Sequence, residues 1–94
     1  MQAYSEDEIK RKLASLPRWS VRSGRLVREF TFADFIAAMA FVNRIATLAE
    51  LAGHHPDIDI RYNRVLLGLE THDANGITEK DFLLAEQADL AVAG

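Results

Sequence analysis

Two stretches of this sequence hold side chains that could move protons. One is Glu50-Leu51-Ala52-Gly53-His54-His55-Pro56; the other runs Thr71-His72-Asp73-Ala74-Asn75-Gly76-Ile77-Thr78-Glu79-Lys80-Asp81. Between them they contain all three histidines of the chain, His54, His55 and His72. Imidazole exchanges protons near neutral pH, so each histidine is a candidate general acid or base. Taken singly, each feature also has a plain structural explanation. A lone histidine is more often a hydrogen-bonded surface residue than a catalyst. Glu50 can be solvated on a helix face, Asp81 can be the third residue of a capping box, and Gly53 with Pro56 can simply end a helix. The combination shifts the balance: two adjacent imidazoles follow a helix stop, and the third ends a strand.

The surrounding patterns specify the elements that must position these groups. Ser5 followed by Glu8 is a capping-box signature, opening a helix expected to run to about Leu16, with Ile9, Leu13 and Leu16 on one face. Pro17 favours a break. Trp19 to Arg22 and Leu26 to Phe32 read as strands joined at Ser23-Gly24. In the second of these, Arg28 falls on the same side as Leu26, Phe30 and Phe32. Thr31 and Asp34 suggest another capping box, before a long helix from Ala33 to Ala52 that Gly53 stops. Two apolar stripes lie side by side on it: Phe35, Met39, Val42, Ala46 and Ala49, then Phe41, Ile45, Leu48 and Ala52. Together they cover about half the circumference, wider than one core-facing stripe.

Ile58, Ile60 and Tyr62 alternate with Asp57, Asp59 and Arg61, as in a half-buried strand. A turn at Asn63-Arg64 leads into a fourth strand from Val65 that ends near His72. Asp73 to Gly76 is a turn by composition. Thr78 and Asp81 form a third capping box, and the last helix runs to about Val92 with Phe82, Leu83, Ala85 and Leu90 among its apolar positions. Its start would offer free backbone N–H groups beside His72. The order α-β-β-α-β-β-α predicts an α+β fold: one four-stranded antiparallel sheet with helices packed on one face.

At 94 residues the chain fits a single domain spanning 1–94. So small a core is helped by oligomerisation. There is no cysteine, so neither a disulfide framework nor a thiolate metal site is expected, and a reducing compartment, the cytoplasm, is compatible. The first residues are charged where a signal peptide needs an apolar run. No stretch reads as long and apolar enough to span a bilayer. A net charge of −3 disfavours direct nucleic-acid binding.

The run Glu50-xxx-His54-His55-Pro56, then Tyr62, Thr71-His72 and Asp81, resembles the signature of the pterin-4a-carbinolamine dehydratases, also known as dimerisation cofactors of a homeodomain transcription factor. Trp19, the strand Arg28 to Phe32, Phe35, Ala38, Phe41, Gly76-Ile77-Thr78 and Phe82 to Ala85 are similar to the family's other positions. The likeness covers about Leu16 to Ala88. Asn75-Gly76-Ile77 replaces a commoner double glycine and leucine, and Lys80 stands where arginine is frequent. The resemblance implies removal of water from a 4a-hydroxytetrahydropterin, giving the quinonoid dihydropterin, in the recycling of the cofactor of aromatic amino acid hydroxylases. It implies His54 and His72 for the proton transfers. His55 would hold the ring and share in catalysis. Glu50, Asp81 and Lys80 would contact the substrate or orient an imidazole. No metal or organic cofactor is implied, the pterin being the substrate.

Three alternatives accompany this expectation. One is a non-catalytic binding or dimerisation module using the broad apolar helix. Another is a metal site from His54, His55, His72 and a carboxylate such as Asp57; adjacent histidines project differently, which weighs against it. The last keeps the pocket but changes the pterin, as in molybdenum cofactor metabolism. A homo-oligomer, dimer or tetramer, is expected through the helix Ala33 to Ala52.

Overall fold

Ser5 opens the first helix with both halves of its capping box made: its hydroxyl accepts from the Glu8 N–H at 3.2 Å, and the Glu8 carboxylate accepts from the Ser5 N–H at 2.8 Å. This helix, α1, spans Glu6–Leu13 in the computed structural model, which describes residues 2–93. Met1 and Gly94, the outer ends of the expected domain, lie outside them. Helix α1 stops before Leu16, which is instead buried in the turn that follows.

The first hairpin pairs β1 (Ser20–Arg22) with β2 (Arg25–Thr31). Ser23 and Gly24 take φ of 53° and 77°, the left-handed pair that matches the twist of a two-residue hairpin. The second hairpin pairs β3 (Asp57–Arg61) with β4 (Arg64–Leu69). Its turn is Tyr62-Asn63, one residue earlier than Asn63-Arg64, so Tyr62 leaves the strand and is exposed. The physical reason is visible at Asn63. Its side-chain amide donates to the Phe32 carbonyl, and its own carbonyl accepts from the Phe32 N–H, both at 2.9 Å. That pair of hydrogen bonds fixes Asn63 in the turn.

All pairings are antiparallel and the strand order is β1-β2-β4-β3. Leu26 faces Leu69 and Phe30 faces Val65, so one sheet face carries the core residues. Arg28 shares that face and is accommodated. Its guanidinium stacks 4.1 Å over the Phe30 ring and donates to Asp89, which also accepts from the Trp19 indole at 2.8 Å.

Helix α2 spans Phe35–Ala52. Asp34 itself is the cap, accepting from the Ala37 N–H at 2.8 Å; Thr31 belongs to β2, so the expected Thr31–Asp34 box is not formed. Only one stripe of α2, Ala38, Phe41, Ile45 and Ala49, is buried against the sheet. Of the expected stripes, Phe35, Ala46 and Ala52 are exposed, which corrects the face expected from periodicity; Ile36 and Leu51, on neither stripe, are exposed too. Two apolar stripes side by side give the periodicity no single face to select. By length and composition alone this 18-residue helix could also cross a membrane, contrary to the expectation that no stretch could. In the fold its buried stripe belongs to the sheet core.

Helix α3 (Glu79–Ala93) buries Phe82, Leu84, Ala85 and Ala88. Leu83 and Leu90 face outward, again corrected from the expected face. Phe41 is central to the core, with the Phe30 and Phe32 rings 4.6 Å and 5.1 Å from its own.

Candidate active site

Gly53 sets the geometry of the first histidine loop. At φ 61° it takes the left-handed conformation that closes α2. The Gly53 N–H donates to the Glu50 carbonyl at 3.2 Å and the His54 N–H to the Ala49 carbonyl at 3.1 Å. This pair of bonds is a Schellman motif, and it anchors the backbone of His54 to the end of the helix. Pro56 then leads directly into β3.

The His54 ring is buried and its Nε2 lies 2.5 Å from Asp81 Oδ1. Asp81 is fully buried. Its other oxygen accepts from the Thr71 hydroxyl and from the Thr78 N–H, both at 2.9 Å. Thr71 and Thr78 hydroxyls meet at 2.8 Å, and Thr78 Oγ1 accepts from the Lys80 N–H at 3.2 Å. One assignment of hydrogens satisfies the whole set. Lys80 N–H donates to Thr78, Thr78 to Thr71, and Thr71 to Asp81. Both donors to Oδ2 are then spoken for, so Oδ1 receives Nε2–H of His54. Nδ1 is the ring nitrogen left for a ligand.

The other two histidines are exposed. His55 Nε2 contacts the Glu50 carboxylate across the last turn of α2. His72 begins a single 3₁₀ turn, His72–Ala74, just beyond β4, and its Nδ1 lies 3.3 Å from Glu70 Oε1. The turn is closed by Asn75 at φ 58° and by a bridge from Thr71 to Gly76.

Both loops open onto one cavity of about 230 Å³, lined by Gly53, His54, His55, Glu70, Thr71, His72, Asp73 and Lys80. That is a little below the 300–1,000 Å³ usual for small-molecule clefts. A larger cavity of about 500 Å³ lies between α2 and α3, walled by Arg44, Thr47, Leu48, Gln87, Leu90 and Ala91; its surface is mainly apolar and it holds no imidazole or carboxylate. Size alone is therefore a poor guide here; convergent polar groups select the histidine cleft.

Of the residues expected at the site, His54, His55, His72 and Lys80 reach the cavity wall. Glu50 and Asp81 stand behind it, each against an imidazole. Asp57 points elsewhere: it pairs with Arg25 on the sheet face that carries Gly68, away from the core face. Among the described residues no three His, Asp or Glu side chains converge as metal ligands. Sequence reasoning missed Glu70. Glu70 lies just past the end of β4 and His72 in the 3₁₀ turn that follows, so no strand periodicity links the two in the sequence.

A family model described as Pterin 4 alpha carbinolamine dehydratase matches residues 2–91, including both histidine loops. The chain belongs to the pterin-4a-carbinolamine dehydratase family. A relative from Chloroflexus aurantiacus, named "Putative pterin-4-alpha-carbinolamine dehydratase", is 60% identical over 89 residues, covering 95% of this chain and 96% of that protein. One of the same name from Acidobacterium capsulatum is 62% identical over 85 residues, covering 90% and 92%. The crystal structure of a transcriptional coactivator/pterin dehydratase from Brucella melitensis superposes with a TM-score of 0.91 at 36% identity, covering 96% of this chain and 98% of that one. A pterin dehydratase-like RuBisCO assembly factor of the alpha-carboxysome shares the fold, with a TM-score of 0.67 at 23% identity, covering 82% and 89%. The dehydratase family thus fits this chain over nearly its whole length.

Proposed function

We propose that this protein removes water from a 4a-hydroxytetrahydropterin to give the quinonoid dihydropterin, by proton transfer through imidazoles. The observation that supports it most is the meeting of His54, His55 and His72, from two separated loops, around one cleft. Hydroxide leaves poorly, so a proton must reach the departing oxygen; another must leave a ring nitrogen as the double bond forms. No hydride moves, and the histidines alone can serve both transfers. His54 and His72 carry the protons in this account. His55, held by Glu50, supports the ring, and Lys80 offers a cationic contact from the cleft wall. Asp81 acts through His54, holding its ring and tautomer, because it is too deeply buried to touch a ligand. The reaction would serve tetrahydropterin recycling in the cytoplasm, with homo-oligomers forming through the exposed side of α2, where Ile36 and Leu51 are 76% and 81% exposed.

Dehydration kinetics of the purified protein test this. His54→Ala and His72→Ala should each lower turnover by about 10²–10⁴-fold, the usual contribution of a general acid or base. Near-normal turnover in both variants would refute the assignment.

A further inference from the structure

We propose that Glu70 is a positioning residue for His72, completing a set in which each histidine of the cleft has its own carboxylate. This rests on the dehydratase reading for its kinetic consequence, though not for the contact itself. His54 is backed by Asp81 and His55 by Glu50. Among the described residues, the one carboxylate this close to His72 is Glu70, with Oε1 3.3 Å from Nδ1. The His72 side chain is 82% exposed, so little packing holds the ring, whereas Glu70 is only 30% exposed and follows directly on the last residue of the core strand β4.

The strand explains why Glu70 can do this. Leu69 is fully buried and paired with Leu26, which fixes the backbone just before Glu70. Thr71 is tied into the buried Asp81 network on the next position. Glu70 is therefore held from both sides, and its carboxylate is presented toward the 3₁₀ turn where His72 begins. It lines the catalytic cleft and also a neighbouring cavity of about 250 Å³, walled by Gly24, Thr71, His72, Asn75 and Gly76. Glu70, Thr71 and His72 thus form a partition between two spaces. At 3.3 Å the pair is an ion-pair contact rather than a formed hydrogen bond, and catalytic contacts are commonly long or poorly aligned until a ligand tightens them.

The chemical consequence is a defined tautomer. A carboxylate facing Nδ1 favours the hydrogen on Nδ1, which leaves the Nε2 lone pair of neutral His72 as the proton acceptor presented to substrate. Losing the carboxylate frees the ring to rotate and to exchange tautomers. It removes no substrate contact if Glu70 acts only through His72.

Three measurements test this. In kinetics, Glu70→Ala lowers kcat about 10-fold or more with KM within about twofold, the scale on which partners of a working histidine act. Glu70→Gln, which retains a carbonyl acceptor, recovers most of that loss. In a double-variant cycle, Glu70→Ala costs nothing further once His72 is already alanine. Full additivity of the two losses, or a loss confined to KM, would overturn the proposal by making Glu70 a direct substrate contact. The third measurement needs no turnover: long-range ¹H–¹⁵N spectra of neutral His72 should report the Nδ1–H form in the native chain and a shift toward Nε2–H in Glu70→Ala. An identical tautomer in both would overturn it too. A native chain with this tautomer switch but no dehydratase activity would leave Glu70 with its role and refute the substrate assignment instead.

Discussion

Asp81→Asn separates charge and tautomer from shape at the buried centre of the site. Asp81 accepts three hydrogen bonds: Thr71 O–H and Thr78 N–H on Oδ2, and His54 Nε2 on Oδ1. Asparagine has the same outline. Two fixed donors claim its carbonyl oxygen at the Oδ2 position, so its amide must face His54. An amide donates, so His54 must turn its Nε2 lone pair toward it and carry its hydrogen on Nδ1, the nitrogen left for a ligand. The second amide hydrogen has no partner, which costs about 1–3 kcal/mol for a buried unsatisfied donor. Set against a domain stability of about 5–15 kcal/mol, the variant should stay folded. Its turnover should nevertheless fall by about 10²–10⁴-fold, as for outright loss of a general acid or base. Thermal unfolding monitored by circular dichroism checks the first number, and dehydration kinetics with imidazole ¹⁵N spectra check the second. A folded Asp81→Asn protein with turnover within threefold of native, or with His54 still protonated on Nε2, would refute this account of the network.

Other perturbations probe the scaffold. Phe41→Ala empties the centre of the aromatic cluster and should cost about 3–5 kcal/mol, read by denaturant unfolding. At Gly53, alanine would have to adopt φ 61°, so Gly53→Ala should destabilise by about 1 kcal/mol and weaken turnover by loosening the Schellman closure that anchors His54. The Ser5 backbone and side-chain hydrogen bonds hold the Glu8 carboxyl below its ordinary range. A depressed carboxyl contributes stability above its unfolded pKa and loses it as pH falls through the folded value. Helix α1 should therefore fray below about pH 4.5, earlier than the sheet, as amide exchange would show; Ser5→Ala should weaken that pH dependence.

Much of this arrangement was legible in the sequence because its signals are local. Ser5 and Glu8, Ser23-Gly24 and Gly53 each specify backbone through bonds or φ values within a few residues. The element order and the pairing of His54 and His55 with the helix stop followed from those. What the sequence hid depends on partners distant along the chain. The turn moved to Tyr62-Asn63 because Asn63 bonds Phe32, 31 positions away. Arg28 looked misplaced among apolar residues until Asp89 and Trp19 closed around it from elsewhere in the chain. Periodicity could not choose the buried face of α2, since Phe35, Ile36 and Leu51 are as apolar as the residues that pack. At the site, the capping role of Asp81 was readable, but its bond to His54 crosses 27 positions. Glu70 escaped notice because one alternating strand residue looks like any other until His72 is seen beside it.

The most direct test of the central claim is to titrate the native chain with an unreactive dihydropterin while following its imidazole resonances. If one bicyclic ring occupies the cleft between the two loops, the signals of His54, His55 and His72 should all shift and yield a single shared Kd. Shifts limited to one histidine, or none at saturating pterin, would contradict it.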